Sequence, residues 1–287
     1  MSGYLRPERL PEALEALARG PHLLLAGGTD LYPASAAPRL DGPVLDLTGI
    51  AELQGIAPAG DGGLRIGAGA SWTAIARAAL PPACAGLQAA ARQVGGRQIQ
   101  NAGTIGGNLC NASPAADGVP PLLTLDAEVD LAAPGGTRRL PLADFLLGPR
   151  QTARAADEIL TAVHLPPAAL AGRGGFLKLG ARAHLVISIV MVAARIEVAD
   201  GRISGAALAV GACSATARRL PGVETSLLGA SAAEATARID RAAAAAAVAP
   251  LDDHRGSADY RRVAAGEMVA RVVAGLVTAP RDAGIAA

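Results

Sequence analysis

Two runs of small residues, far apart in the chain, constrain the fold more than any other feature. The first is Ala26–Leu31 (AGGTDL), which follows the short apolar stretch His22–Leu25. The second lies within Gln98–Asp117 and centres on Thr104–Asn108 (TIGGN). Glycine lets another backbone or a ligand approach closely, and consecutive N–H groups in such turns form anion sites. The two runs predict two walls of one anion cradle, and the expected anion is the pyrophosphate of a dinucleotide.

Neither run matches a standard nucleotide-binding fingerprint. GxGxxG and GxxxxGK[ST] are both absent, so a Rossmann or phosphate-loop site has no support. Taken alone, either run is also compatible with an ordinary turn, because Gly-Gly pairs punctuate loops of all kinds. The pairing of the two runs is what favours a binding site.

Charge and hydropathy exclude several classes of protein. The net charge is +1, with 26 basic and 25 acidic residues and no clustered basic face, so no nucleic acid partner is expected. No apolar run reaches the roughly 18 residues of a membrane span. The N-terminal residues lack an apolar signal core, so a cytoplasmic protein is expected.

The three cysteines, Cys84, Cys110 and Cys213, are odd in number and widely spaced. They form neither a disulfide framework nor a CxxC metal site. They also cannot supply the four thiolates of an ordinary iron–sulfur cluster, so no metal site is expected on this chain. No catalytic acid, base or nucleophile set is apparent either.

Hydrophobic periodicity predicts a mixed α+β chain. Helices are expected at 11–19, from Ser71 to about residue 79, and at 87–94. Strands are expected at 22–26, 43–47, 64–69, 122–131 and 159–165, with a hairpin partner at 138–142. After a candidate linker at 166–175, strands at 176–179, 187–198 and 203–210 suggest an antiparallel sheet. The segments 230–248 and 268–277 are expected to be helical.

Four motifs in order resemble one known family. They are AGGTDL at Ala26–Leu31, NAGTIGGNLCNASPAAD at Asn101–Asp117, FLKLGAR at Phe176–Arg182 and DDHRGSADYRR at Asp252–Arg262. Together they look like the FAD-binding medium subunit of the molybdenum hydroxylases, the family of xanthine dehydrogenase, aerobic carbon monoxide dehydrogenase and 4-hydroxybenzoyl-CoA reductase. The motifs cover nearly the whole chain.

The resemblance implies a two-lobed FAD-binding domain of the PCMH (vanillyl-alcohol-oxidase-like) type, followed by a C-terminal domain of antiparallel sheet plus helices. On this chain the expected boundaries are residues 1–55 for the first lobe, 56–168 for the second and 169–287 for the C-terminal flavoprotein domain.

The resemblance also implies which residues bind FAD. Backbone N–H groups of both small-residue runs would hold the pyrophosphate, apolar side chains would line the cleft, Asp117 would bind the sugar or ribityl hydroxyls, and Lys178 would lie near the flavin ring. The residues are Leu24, Leu25, Ala26, Gly27, Gly28, Thr29, Asp30, Leu31, Thr104, Gly106, Gly107, Asn108, Asp117 and Lys178. Many relatives carry an acidic residue soon after Arg182, whereas this chain continues Ala183-His184, so the group that shields the flavin face is left open.

The implied function is electron transfer in a molybdenum hydroxylase. A large molybdopterin-binding subunit and a small [2Fe–2S] subunit would be the partners, in a dimer of heterotrimers, and FAD on this chain would pass electrons to an external acceptor. Two alternatives stay open. One is a self-standing FAD-dependent reductase of the same fold, which needs a proton donor near the flavin. The other is a scaffold that has lost its cofactor.

Overall fold

The N-terminal segment forms a small parallel sheet covered by one helix. The computed structural model describes residues 3–35 and 40–278. The elements are β1 (Tyr4–Leu5), α1 (Leu10–Arg19), β2 (Leu23–Leu25), α2 (Leu31–Ala34) and β3 (Val44–Asp46), and the strand order is β1-β3-β2. Helix α1 buries Ala13, Ala16 and Leu17 against Leu45 and against Ile159 of the next sheet. The helix and the two strands expected here from the sequence are confirmed, and the first small-residue run follows β2 directly.

The second sheet is antiparallel and has five strands. They are β4 (Ile56–Pro58), β5 (Leu64–Gly67), β6 (Glu128–Ala133), β7 (Gly136–Pro141) and β10 (Ile159–Leu165), in the order β4-β5-β10-β6-β7. Every residue of the central strand β10 is buried. The short elements α8 (Leu142–Phe145), β8 (Leu146–Gly148) and β9 (Gln151–Thr152) connect β7 to β10. The expected β6–β7 hairpin is confirmed.

Five helices fill the long connection between β5 and β6. They are α3 (Trp72–Arg77), α4 (Ala85–Gln93), α5 (Arg97–Ala102), α6 (Ile105–Asn111) and α7 (Val119–Thr124). The Ser71 side chain caps α3 by accepting from the Ala74 N–H, as expected. The expected strand at 122–131 is wrong in its first half: α7 begins at a Val-Pro-Pro sequence that favours a helix start. Its apolar residues are buried all round, so alternation could not separate helix from strand there.

The C-terminal part is an antiparallel sheet backed by helices. Its strands are β11 (Arg173–Leu179), β12 (Val190–Ala199), β13 (Arg202–Gly211) and β14 (Arg218–Arg219), paired in that order. Its helices are α9 (Pro221–Leu227), α10 (Ala232–Ala235), α11 (Arg241–Ala246) and α12 (Ala258–Thr278). Asp200 and Gly201 both have positive φ, as a tight hairpin turn requires.

Two boundaries in this part differ from expectation. The Ala-rich stretch is two short helices rather than one, because Asp240 caps a new helix by accepting from the Ala243 N–H. The final helix starts at Ala258, ten residues before the expected Met268. The candidate linker contains a short 3-10 turn at Pro167–Leu170 and the first residues of β11.

Among the described residues, no helix is both long and apolar enough to cross a bilayer.

Close backbone contact joins the second sheet's helical layer to the C-terminal sheet. A Cβ on Gly174 of β11 would overlap the carbonyl oxygen of Ala83, and one on Gly86 of α4 would lie 2.8 Å from the carbonyl oxygen of Gly175. Helix α4 therefore packs directly on the backbone of β11. This contact brings Lys178, further along β11, towards the helices that carry the second small-residue run.

Arg261 ties the long helix α12 to the ends of two strands. Its side chain is buried, and its Nη1 donates to the carbonyls of Ile189 (2.7 Å) and Ala212 (2.8 Å). Its Nη2 donates to Asp253 Oδ1 at 2.6 Å. Ile189 precedes β12 and Ala212 follows β13, so one guanidinium satisfies backbone groups from two strand ends. The motif around Tyr260 thus has a structural role at Arg261.

Replacing Arg261 with Met should destabilise the chain by about 3 kcal/mol, because two buried carbonyls and the Asp253 carboxylate lose their donor. Denaturant unfolding measures the change. Arg262→Met is the matched control: among the described residues Arg262 pairs with the exposed Asp259 of its own helix alone, so its loss should have a much smaller effect. Equal unfolding midpoints for the two variants would show that Arg261 does not hold the strand ends.

Candidate functional site

A long cleft runs between the N-terminal sheet and the helices that follow β5. It has two chambers of about 1070 Å³ and about 670 Å³. The chambers meet at a shared set of lining residues, which are Leu24, Ala26, Gly27, Thr104, Gly107, Cys110 and Arg150. Both small-residue runs therefore face one cleft, as the sequence predicted. Ligand pockets in proteins commonly measure about 300–1,000 Å³, so this cleft suits an extended ligand.

The first wall is the loop that leaves β2. A Cβ on Gly27 would overlap the carbonyl oxygen of Ala102, so only glycine allows this loop to rest on the end of α5. Gly28 has a φ of 68°, a left-handed conformation that glycine adopts without strain. Within residues 3–35 and 40–278, the backbone N–H groups of Gly27 through Asp30 donate to no other residue. The loop thus presents a row of free donors to the cleft.

The second wall is the start of helix α6 rather than a loop. Thr104 caps the helix, and the Gly107 N–H donates to its Oγ1 at 3.0 Å. The Gly106 N–H donates to the Ala68 carbonyl at 2.9 Å and the Asn108 N–H to the Thr104 carbonyl at 3.0 Å. The expectation that this run offers free backbone N–H groups therefore differs from the structure, because helix and sheet contacts already use them. What the run contributes is a smooth surface at Gly107 and the Asn108 side chain.

Asn108 carries a buried polar atom without a partner. Its Oδ1 makes no hydrogen bond to any described residue, and its side chain lines the smaller chamber. An unsatisfied buried amide oxygen costs free energy, so an isolated protein rarely keeps one without a reason. The oxygen is not exposed to the cleft: a Cβ on Gly118 would lie 3.1 Å from it, so it faces the protein interior.

Asp117 forms a buried ion pair at the end of the smaller chamber. Its Oδ2 accepts from Lys178 Nζ at 2.5 Å and its Oδ1 accepts from Ser188 Oγ at 2.6 Å. Both charged side chains are buried. Burial raises the pKa of Asp117 above its usual range, while the charge and hydrogen bond of Lys178 and the hydrogen bond of Ser188 oppose that rise. Lys178 also donates to the Gln93 carbonyl at 3.3 Å, so three segments meet at this pair.

The structure brings most of the expected site residues together. The residues that line the cleft are Leu24, Ala26, Gly27, Gly28, Thr29, Asp30, Leu31, Thr104, Gly106, Gly107, Asn108 and Asp117. Leu25 lies outside it, buried in the N-terminal sheet. Lys178 also lies behind the lining and reaches the cleft through Asp117.

Several cleft residues were missed by the sequence reasoning. They are Gln54, Gly69, Arg150, Arg154 and the apolar stretch 185–187. Arg150 lies in a tight turn with a φ of 61°. The Gly-Pro sequence before it does not indicate that conformation, so only the fold reveals its position. The 185–187 segment follows Arg182, and Leu185 and Ile187 lie at the edge of the smaller chamber.

The cysteines are poorly suited to chemistry. Burial raises the pKa values of Cys84 and Cys213 to about 12 and that of Cys110, inside the cleft, to about 11. All three thiols therefore remain protonated and weakly nucleophilic at neutral pH. No group of three or more His, Cys, Asp or Glu side chains in the described residues is arranged to hold a metal ion.

Comparison with known proteins decides the family. Residues 1–168 match the FAD binding domain in molybdopterin dehydrogenase, and residues 176–276 match the carbon monoxide dehydrogenase flavoprotein C-terminal domain. The chain belongs to the FAD-binding subunits of the molybdopterin dehydrogenases. The resemblance seen in the four sequence motifs is thereby confirmed.

Relatives match this flavoprotein subunit over almost its full length. A putative xanthine dehydrogenase FAD-binding subunit of Escherichia coli K12 is 33% identical, over 97% of either chain. A carbon monoxide dehydrogenase structure from Hydrogenophaga pseudoflava has a TM-score of 0.86 at 29% identity, over 96% of either chain. Quinoline 2-oxidoreductase from Pseudomonas putida 86 also has a TM-score of 0.86, at 26% identity, over 96% of this chain and 97% of that one.

These matches confirm the fold class, an FAD-binding domain followed by an antiparallel sheet with helices. The chain is a flavoprotein subunit of a multi-subunit molybdenum-dependent oxidoreductase, and its cofactor is FAD. The cleft fits such a group on its own features. A row of free N–H donors can meet a pyrophosphate, Gly107 leaves open space that a side chain would fill, and the two chambers are large enough for a dinucleotide.

A double-mutant cycle tests the Asp117–Lys178 pair. Asp117→Asn and Lys178→Met should each lower the free energy of unfolding by about 3 kcal/mol, because each leaves the other buried charge unpaired. The double variant removes both charges and should lose clearly less than the sum of the single losses. Urea unfolding of the four proteins measures this coupling, and additive losses would mean that the two side chains do not interact.

Proposed function

We propose that this chain carries electrons through FAD from the [2Fe–2S] clusters of a partner subunit to an external acceptor. The observation that carries the proposal is the cleft itself: free backbone donors of one loop face the glycine surface of α6. The described residues show no nucleophile or metal group that would indicate chemistry of their own. A protein of this kind contributes binding, orientation and electrostatics, and its cofactor contributes the chemistry.

The chain's residues would divide the binding of FAD between the two walls. The N–H groups of Gly27 to Asp30 would donate to the pyrophosphate, in the way that backbone nests bind anions. The Asn108 amide would hydrogen-bond a polar group of the cofactor. Asp117 would accept from sugar or ribityl hydroxyls, since its carboxylate has acceptor capacity beyond its bonds to Lys178 and Ser188.

Lys178 and the apolar edge of the smaller chamber would set the surroundings of the flavin ring. Bound flavin accepts electrons singly and releases them in pairs. Asp117 lies between Lys178 and the cleft, so the charge of Lys178 offsets that of the carboxylate and fixes its position at this end of the cleft. Leu185 and Ile187, half-exposed at the chamber edge, would limit the access of water.

The proposed partners are a large molybdopterin-binding subunit and a small [2Fe–2S] subunit, arranged as a dimer of heterotrimers in the cytoplasm. Support comes from relatives that are named as subunits or medium chains and that match over 95% or more of their length, including the carbon monoxide dehydrogenase medium chain of Hydrogenophaga pseudoflava. The hydroxylated substrate would be selected on the molybdenum subunit, away from this chain.

A self-standing reductase is the less favoured function. It would need a proton donor at the flavin, and the acidic side chain at that end of the cleft, Asp117, is engaged by Lys178 and Ser188. The thiol in the cleft, Cys110, has a pKa of about 11, so it is a poor proton donor at neutral pH. A scaffold without cofactor is disfavoured because such a protein has no need of the free N–H row and the strictly glycine contact at Gly27.

Gly107→Val tests the proposal in the complex that the chain forms with its partners. A Cβ on Gly107 would meet a single neighbour, Thr104 Oγ1 at 3.0 Å, so the rest of the side chain extends into the cleft. The variant complex should assemble but lack FAD. The [2Fe–2S] clusters are first reduced with dithionite, and NAD, a quinone and oxygen are then tried in turn as acceptors while EPR follows cluster reoxidation. With the acceptor that the wild-type complex uses, reoxidation should be about tenfold slower or more in the variant.

Gly275→Val provides the control, because Gly275 is an exposed helical glycine with open space around its Cβ position. It should keep its FAD and its rate of cluster reoxidation. A flavin-free Gly107→Val complex that still passes electrons to every acceptor at the wild-type rate would refute the proposed route.

A further inference from the structure

Arg150 is held at the cleft by an uncommon backbone conformation. It lies at the tip of the β8–β9 hairpin with a φ of 61°, and its N–H donates to the carbonyl of Ala112 at 3.0 Å. Ala112, at the end of α6, also has a positive φ, of 45°. Positive φ is uncommon outside glycine and persists where the surrounding structure enforces it, often at functional sites. The two turns lock together and fix the hairpin tip against the helix that forms the second wall.

The guanidinium of Arg150 has spare donors. It lines both chambers where they meet, and the one partner it has among the described residues is the Asn111 side-chain oxygen. No carboxylate of the described chain lies within ion-pair distance of it. Two arginines of strand β7, by contrast, form ion pairs: Arg138 is paired with Glu158 and Arg139 with Asp130. Since a guanidinium has five N–H donors, most of those of Arg150 remain available.

Arg154 adds a second positive charge on the same side. It lines the larger chamber and donates to the backbone carbonyls of Ala155 (2.9 Å) and Glu158 (2.8 Å) rather than to a side-chain carboxylate. Its charge lowers the pKa of the Cys110 thiol against the larger effect of burial, and it also lowers the pKa of the Glu158 carboxyl. Two arginines therefore line the larger chamber, and neither forms an ion pair with a described carboxylate.

We propose that Arg150, supported by the charge of Arg154, binds the pyrophosphate of FAD together with the Gly27–Asp30 loop. The inference rests on the proposed function and adds to it a charged anchor that the glycine motifs do not contain. Backbone N–H groups carry only partial charges. An arginine carries a full positive charge, and its guanidinium can donate to two oxygens of one phosphate group at once. Arg150 thereby makes the site select a dinucleotide over an uncharged flavin.

Flavin titrations of the full-length chain, freed of bound FAD, separate this anchor from general cleft structure. Quenching of flavin fluorescence gives the Kd for FAD and for riboflavin, which lacks phosphate. Arg150→Ala should weaken FAD about tenfold or more and leave riboflavin unchanged, as expected for the loss of a charge-assisted contact. Arg150→Lys should retain part of the affinity, and the salt dependence of FAD binding should become shallower in Arg150→Ala.

Two further variants keep the test decisive. Arg150→Gly removes the side chain but relieves the backbone conformation, so it must lose FAD affinity as Arg150→Ala does. Arg77→Ala removes the same charge from an exposed site outside the cleft and should change neither Kd. Unchanged FAD affinity in Arg150→Ala, or equal weakening of FAD and riboflavin, overturns the inference. A wild-type chain that binds neither flavin would instead contradict the proposed function, and the anchor with it.

Discussion

The contact between Gly27 and the carbonyl of Ala102 sets the distance between the two walls of the cleft. Because no side chain fits between them, the loop after β2 rests on the end of α5. Helix α6 starts two residues beyond α5, with Thr104 as its cap, so the same contact places the first loop opposite Gly107. The free N–H row, the glycine surface and Asn108 all depend on this separation.

The C-terminal part stabilises the far end of the cleft through buried polar contacts. Lys178 comes from β11 and Ser188 from the segment before β12, and both bind Asp117. A buried ion pair is expensive to desolvate and contributes little net stability compared with apolar packing. The ion pair instead fixes the positions of a carboxylate and a cation at one end of the cleft. The adjoining backbone contacts of Gly86 and Gly174 keep β11 in place.

Much of this arrangement could be predicted from the sequence, and the failures have physical reasons. Turn residues marked the ends of β2 and of the β12–β13 hairpin, and glycine spacing identified both walls. The helix that begins at Ile105 was missed, since two glycines normally disfavour a helix and the contacts that stabilise it, with Ala68, Ala70 and Thr104, are visible only in the fold. Arg150 was missed because its position depends on a left-handed backbone conformation that the residue types around it do not predict. The Lys178–Asp117 bond joins residues 61 positions apart, which pattern reasoning cannot pair.

Amide hydrogen exchange with and without FAD tests the central claim most directly, because the two walls differ in their hydrogen bonding. In the FAD-free chain the amides of Gly27 to Asp30 should exchange rapidly, and those of Gly106 to Asn108 should already be slow. FAD should slow exchange in the first group by about tenfold or more and change the second group far less. Unchanged exchange at Gly27–Asp30 under saturating FAD would contradict the account, because the free donors of that loop would then have no part in holding the cofactor.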